Sequence, residues 1–489
     1  MTEAPLTQRQ KLFALALLAT TQFVIVLDAA IVNVALPTVG TDLKIAQDNL
    51  SWVVNAYVLT FGGFLLLGGR LADLLGRRRL FIGGLFVFSL ASLLGGLAAN
   101  EGQLIAARAL QGFGGAMLAP AALSMVTNTF AEGAERNKAL GVWGAVSGSG
   151  GAAGVLLGGV LTEYLGWEWV FWVNVPIGVA AAILAPRLLR ESRKESGIRT
   201  FDVAGAVTVT AGLALLVFAL VDANSAGWDS TQTIMSLIAA IALIAAFVVI
   251  EQRSDAPLVP FRIFRSRTLT GSNITALLVG ASLFSMFYFI SLYMQQVLGY
   301  DALKAGLSYL PLAIFIIISA GIASVLVTKV GFKPILVTGM VLIALALVWF
   351  AQVDPGGSYV RDLLAPMIVS AIGLGFAFVP VTIGAMSGVS PDDSGLASGL
   401  INTTQQVGGA MGLAVLVAVA SAVTTNDRDL ADLTDGFQAA FLTGAGIAVL
   451  GVVATLTLIR SSDSRALVGA DPSALAGGPP VAQTSSSNS

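Results

Sequence analysis

Fourteen apolar runs follow one another along the chain. Each is about long enough to cross a hydrocarbon layer of roughly 30 Å. They lie near 12–36, 50–71, 80–98, 103–127, 138–162, 169–187, 203–221, 233–250, 269–294, 304–327, 334–352, 363–386, 396–424 and 437–459. In lipid every backbone N–H and C=O must find its partner inside the protein, which leaves helices or a closed barrel. A barrel would alternate apolar and polar residues over about ten positions, and these runs do not. The pattern predicts an all-α polytopic membrane protein. Charged residues make up 11% of the chain, against about 25% in soluble domains, and they bunch between the runs.

The 489 residues include no cysteine and no histidine, so disulfide, thiol, zinc and imidazole chemistry drop out together. No metal is expected, and enzymatic activity is not. Net charge is −2, which gives no footing for nucleic acid. No G-x-x-x-x-G-K-[ST] loop occurs, so an ion gradient rather than ATP is the expected energy source, with no cofactor. The first run, preceded by the polar "MTEAPLTQRQK", is too long for a signal-peptide core and contains Asp28; it is expected to be a retained span.

Placing the N-terminus in the cytoplasm puts 21 Lys and Arg in inside segments and four (Lys44, Lys304, Arg361, Arg428) in outside loops, with Arg108 inside a span. This asymmetry predicts that both termini are cytoplasmic. A weak repeat aligns "GRLADLLGRRRLFIGG" (69–84) with "SVLVTKVGFKPILVTG" (324–339) at a constant offset, pairing Gly76 with Gly331 and Arg78 with Lys333. Parallel six-span repeats suggest a transporter of two bundles. The expected organisation is a cytoplasmic 1–11, a six-helix bundle over 12–190, a linker with two extra spans over 191–268, a second six-helix bundle over 269–460, and a disordered tail over 461–489.

Several motifs stand out. "GRLADLLGRRR" (69–79) sets Asp73 and Arg77 four apart at a helix end, where an ion pair forms easily; a plain positive-inside anchor is the simpler reading. Gly150, Gly154 and Gly158 share one helix face and would admit another helix closely. "GSGGAAG" (148–154) mimics a dinucleotide loop, but that fingerprint needs a preceding strand.

The loop 69–79, with Gly69, Asp73, Gly76, Arg77 and Arg78, resembles the cytoplasmic signature of the major facilitator superfamily. "LIAARALQGFGGA" (104–116) resembles its fourth-span motif, with Arg108, Gln111 and Gly112 in place. "GVWGAVSGSGGAAGVLLGG" (141–159) is similar to the fifth-span antiporter motif through Gly141, Gly150, Gly154, Gly158 and Gly159. "LDAAIVNVALP", "WEWVFWVNVPIG" and "YMQQVLGYDALKAG" resemble the fourteen-span drug:proton antiporters. The likeness covers residues 10–460. It departs at Val155, where the motif has Pro, at Glu168, where it has Arg, and at Thr328, opposite Asp73. It implies proton-coupled export of amphipathic, drug-like molecules, with loop 69–79 as conformational latch and the first-span acid and fourth-span Arg facing a central cavity.

Asp28 and Arg108 are the ionisable residues placed well inside spans. Such charges usually pair with each other or face a cavity. Burial disfavours a charged carboxyl and a nearby guanidinium favours it, so Asp28 is a candidate proton carrier beside a fixed charge. A static pair pinning two helices is the alternative. Asn33, Gln111, Phe287, Tyr293, Gln295, Asn402 and Gln405 are candidates for lining a substrate cavity; packing against neighbouring helices competes with that reading for each aromatic, and interhelical hydrogen bonding for the span-13 amides. A monomer in the cell membrane is expected, exporting either many compounds or one endogenous molecule. A non-transporting sensor on the same fold is a further alternative.

Overall fold

The computed structural model describes residues 6–45, 47–192, 202–254, 257–426 and 429–466. Among them fourteen helices are long and apolar enough to cross a membrane. In chain order they are α1 (Gln8–Asp42), α2 (Trp52–Leu75), α3 (Arg77–Gly96), α4 (Glu101–Thr129), α5 (Ala134–Tyr164) and α6 (Asn174–Leu188, within a span that begins at Trp169). Then come α7 (Val203–Ala226) and α8 (Thr231–Arg253). The last six are α9 (Arg267–Leu292), α10 (Leu310–Val330), α11 (Phe332–Phe350), α12 (Ala365–Met386), α13 (Ser394–Val423) and α14 (Leu430–Leu458).

The weak repeat in the sequence is a structural one. In the first half α1 packs on α5, α2 and α3 on α4, and α3 on α6; in the second, α9 packs on α13, α10 and α11 on α12, and α11 on α14. Gly76 and Gly331 both take positive φ, +106° and +87°, ending one helix and starting the next within a single residue. Only glycine reaches such angles without strain. Two residues on, each half places a cation on the carbonyls that close its sixth helix. Arg78 donates to Leu189 O at 3.1 Å, and Lys333 donates to Ile459 O at 2.7 Å. Cations are favoured at a helix C-terminus, where free carbonyls gather.

One expectation changes. The tail was expected to be disordered from residue 461, but Ser461–Ala466 forms a short helix. Its Ser464 Oγ accepts the Lys333 backbone N–H at 2.9 Å, capping α11. The remainder of the tail lies outside the described residues, as do Arg193, Lys194, Arg199 and Arg428 of the charge pattern. The tenth span runs from Leu303 to Val330 and contains Pro311, its helix broken at Tyr309 and resuming at Leu310. Proline suits a first turn because its missing N–H would have no helical partner there.

The bundles meet along α2 with α13 and along α5 with α10 and α12. Helices α7 and α8 form a hairpin between the halves in sequence, and α7 packs on both α2 and α13, so the hairpin covers that seam from outside.

Candidate functional site

Asp28 sits in α1 with no exposure. Its Oδ2 accepts from Arg108 Nη1 of α4 at 2.8 Å. Its Oδ1 accepts from Gln111 Nε2 and from Asn174 Nδ2, the first residue of α6, both at 2.7 Å. Gln111 also accepts from Arg108 and donates to Ser92 Oγ of α3, each at 2.7 Å. Arg108 Nε donates to Val53 O at 3.0 Å, and its guanidinium lies 4.3 Å from the Tyr57 ring centre and 5.8 Å from that of Phe171. Four helices thus converge on one carboxylate, and all five polar side chains are wholly buried.

This corrects the expected orientation. Asp28 and Arg108 were expected to face a cavity between the bundles; they point into the core of the first bundle. A buried ion pair persists only where further hydrogen bonds complete it, and those partners stand on α3, α4 and α6. The cluster also lies toward the end of the bundle where α2, α4 and α6 begin and α3 ends. There Trp167, Val170 and Phe171 pack with Ile31, Val53 and Leu104 and close it off. Gln111, a cavity candidate, is part of this cluster instead.

A second constellation joins the bundles at the opposite, basic end. Asp73 accepts from Arg77 Nη2 at 2.6 Å and from the backbone N–H of Gly395 and of Leu396, both at 2.9 Å. It caps the N-terminus of α13, where free N–H groups favour an anion. Arg77 also donates to Pro391 O. Gly69 lets α2 and α13 touch: a Cβ there would stand 2.4 Å from Gly395 O. Nearby, Asn128 donates to Ser394 Oγ at 2.8 Å and Asn137 donates to Thr328 Oγ1 at 3.2 Å. Thr328 is the repeat counterpart of Asp73, so the departure from the motif replaces a charged cap by a neutral contact on the other seam. These hydrogen bonds close the gap between the bundles at the basic end.

The glycines of α5 serve two faces. Gly150, Gly154 and Gly158 lie against α1; a Cβ at Gly154 would meet Leu27 O at 2.7 Å. Gly141 and Gly159 turn the other way, toward Ser324 and Leu303 of the second half. Helix α5 stays continuous through Val155.

Among the remaining cavity candidates, Tyr293 is corrected. It is buried in a π-helical turn, Tyr293–Val297, and donates to Asp354 O at 2.7 Å, anchoring the α11–α12 connection. Gln295 on the same turn is exposed. Phe287 is half-buried and stacks on Tyr309 with centroids 5.4 Å apart. Asn33 is exposed and donates back to Ala29 O at 3.3 Å; Asn402 and Gln405 are half-buried. Asn174 as a partner of Asp28, Ser92 as a partner of Gln111 and Tyr57 beside the Arg108 guanidinium were missed.

Fold and site together define a two-bundle, fourteen-span membrane transporter. The Major Facilitator Superfamily model matches residues 18–413, and the chain belongs to that family. It is 43% identical to the cephamycin export protein CmcT of Amycolatopsis lactamdurans, over 92% of this chain and 93% of that one. It is 37% identical to the puromycin resistance protein pur8 of Streptomyces alboniger, over 92% and 91%. It is 33% identical to the multidrug transporter protein MdtP of Bacillus subtilis, over 82% and 73%. The fold is shared with the human organic anion transporter MFSD10 at a TM-score of 0.64 and 15% identity, covering 92% of this chain and all of that one.

Proposed function

We propose that the chain is a proton-driven exporter of amphipathic, antibiotic-like molecules, working as a monomer by alternating access across the cell membrane. The basic end is cytoplasmic in this reading, because 18 of the 22 described Lys and Arg gather there. Protons moving inward through Asp28 drive cargo outward. Asn33, Phe287, Gln295, Asn402 and Gln405 are the candidates for cargo contact.

The observation that carries the reading is the Asp28–Arg108 ion pair, wholly buried inside the first bundle. As a structural pin it is a poor choice, since well-packed apolar side chains usually do as well or better. As a proton site it is apt: Arg keeps its charge and the carboxyl can lose or regain its own. Because the site is sealed here, exchange requires the seal to open in another state of the cycle. The cephamycin exporter's 43% identity favours, as a second reading, a transporter dedicated to one antibiotic.

Everted vesicles energised by a pH gradient test both. Wild type exports drug and stops when an uncoupler is added; Asp28→Asn does not export. Normal uncoupler-sensitive export by Asp28→Asn overturns proton carriage there. A panel of unrelated compounds separates broad from dedicated export.

A further inference from the structure

We infer that the proton leaves Asp28 for the cytoplasm through the interior of the first bundle, separately from the cargo space between the bundles. The inference rests on Asp28 as proton carrier.

The structure sets three levels along one axis. The first is the Asp28 cluster. Thr21, Leu85, Leu118 and Ala181 lie seven residues from Asp28, Ser92, Gln111 and Asn174 respectively, always toward the basic end. Seven residues are two helical turns, about 10 Å. Those four side chains line a small internal cavity of about 10 Å³ between α1, α3, α4 and α6, roughly the room one water needs. Its walls are apolar apart from Thr21, whose hydroxyl is bonded to Leu17 O at 3.0 Å.

The third level is seven residues further along α4, at Met125. Here a vestibule of about 420 Å³ opens, lined by Lys11, Met125, Asn128, Arg136, Arg190 and Ser192 among others. Its lining cations bring carboxylates with them. Lys11 pairs with Glu135 at 2.8 Å, and Arg136 with Glu132 at 2.7 Å. The vestibule belongs to the first bundle alone, so it can stay wet while the seam between the bundles is latched.

At the first level and one turn below it, buried polar atoms lack protein partners. Ser89 Oγ, one turn from Ser92 toward the small cavity, is buried and makes no hydrogen bond to protein, nor do Arg108 Nη2 and Asn174 Oδ1. Buried polar atoms are normally satisfied by protein or ordered water. One water at Ser89 and one in the small cavity would bridge about half of the roughly 20 Å from Asp28 to the vestibule. The apolar walls, Val24, Phe88 and Leu118, are then the gate that keeps the route dry between transfers.

The absence of cysteine from the sequence makes the test direct. Single-cysteine variants Met125→Cys, Ala181→Cys and Gln405→Cys of the full chain are exposed to silver ion, which is water-sized, in everted and in right-side-out vesicles. Thiols left unblocked are then counted with a maleimide after denaturation. Silver from the cytoplasmic side should block Met125→Cys and, more slowly, Ala181→Cys; from the outer side it should block neither, while Gln405→Cys follows the cargo space. Blocking of Ala181→Cys from the outer face, or its resistance to cytoplasmic silver that fully blocks Met125→Cys, overturns the route. Acid-driven ethidium export supplies the second arm, with Ala181→Leu narrowing the small cavity and expected to slow export about tenfold. If Asp28→Asn stops export and folded Ala181→Leu leaves it at the wild-type rate, the route falls and the carrier stands. If Asp28→Asn exports normally, the carrier falls, whatever the silver shows.

Discussion

Removing Asp73 should open the basic end. In the closed arrangement its carboxylate receives two N–H bonds from the opposite bundle, at Gly395 and Leu396, both at 2.9 Å, while its bond to Arg77 stays within its own bundle. Only the first two are broken when the bundles part. Hydrogen bonds to a charged group contribute about 1.5–3 kcal/mol each, so Asp73→Ala withdraws about 3–6 kcal/mol from the closed state. At 1.4 kcal/mol per factor of ten, the balance between closed and open moves by about two to four powers of ten. Asp73→Asn keeps one acceptor and should move it by about half as much on the logarithmic scale. The assay is the distance between spin labels at Arg79→Cys and Lys329→Cys, one in each bundle at this end; the chain has no native cysteine to remove. Asp73→Ala should shift the distribution to longer distances in detergent and in nanodiscs. Under conditions in which the parent populates both closed and open states, a distribution identical to that of the parent would refute the latch.

Other perturbations separate packing from gating. Gly154→Ala puts a methyl 2.7 Å from Leu27 O and 2.8 Å from Ala30 Cβ, so α1 and α5 must move apart; overpacking of this kind costs about 1–3 kcal/mol, read as a lower Tm. Gly151→Ala, whose methyl would come no nearer than 4.0 Å to Phe287, should leave Tm unchanged. Lys333→Gln and Arg78→Gln each remove a cation from sixth-helix carbonyls; each should lower Tm of the purified protein and leave the spin-label distances unchanged. A shift in those distances would show that the cation acts between bundles after all.

Much of the fold was legible because a membrane imposes a single strong rule. Apolar runs about 20 residues long become helices, and all fourteen did. Even the faint repeat carried real information, since Gly76 and Gly331 occupy the same positive-φ turn. The site was legible only in part. Asp28 and Arg108 announced themselves as charges in apolar runs, and their pairing was foreseen. Their facing was not, because α1 is apolar on every side and gives no periodic clue to which face meets the bundle core. Asn174 was visible in "WVNVPIG" and Ser92 in "FSLASLL", each polar within an apolar run, but nothing local ties the first to a carboxylate 146 residues away or the second to an amide 19 residues away. Tyr293 read as a cavity aromatic because its hydroxyl's partner, Asp354 O, is a backbone atom in a connection.

What the halves share and what they do not divides the labour between stability and motion. The shared features, the positive-φ glycines and the cations on the sixth helices, act inside a bundle and hold it together. Unshared features either act across the seam or handle charge. Asp73 and Arg77 have Thr328 and Phe332 as counterparts in the aligned second copy, so the charged latch exists on the α2–α13 seam, and the α5–α10 seam is held by glycine contacts and one neutral hydrogen bond, Asn137 to Thr328. A latch on one seam only has a mechanical consequence. When it releases, the α2–α13 seam loses far more binding energy than the α5–α10 seam, so the bundles should part first on the side the α7–α8 hairpin covers. That hairpin then shields the opening seam from lipid at the moment its buried polar groups, Asp73 and the α13 N-terminus, become exposed to water.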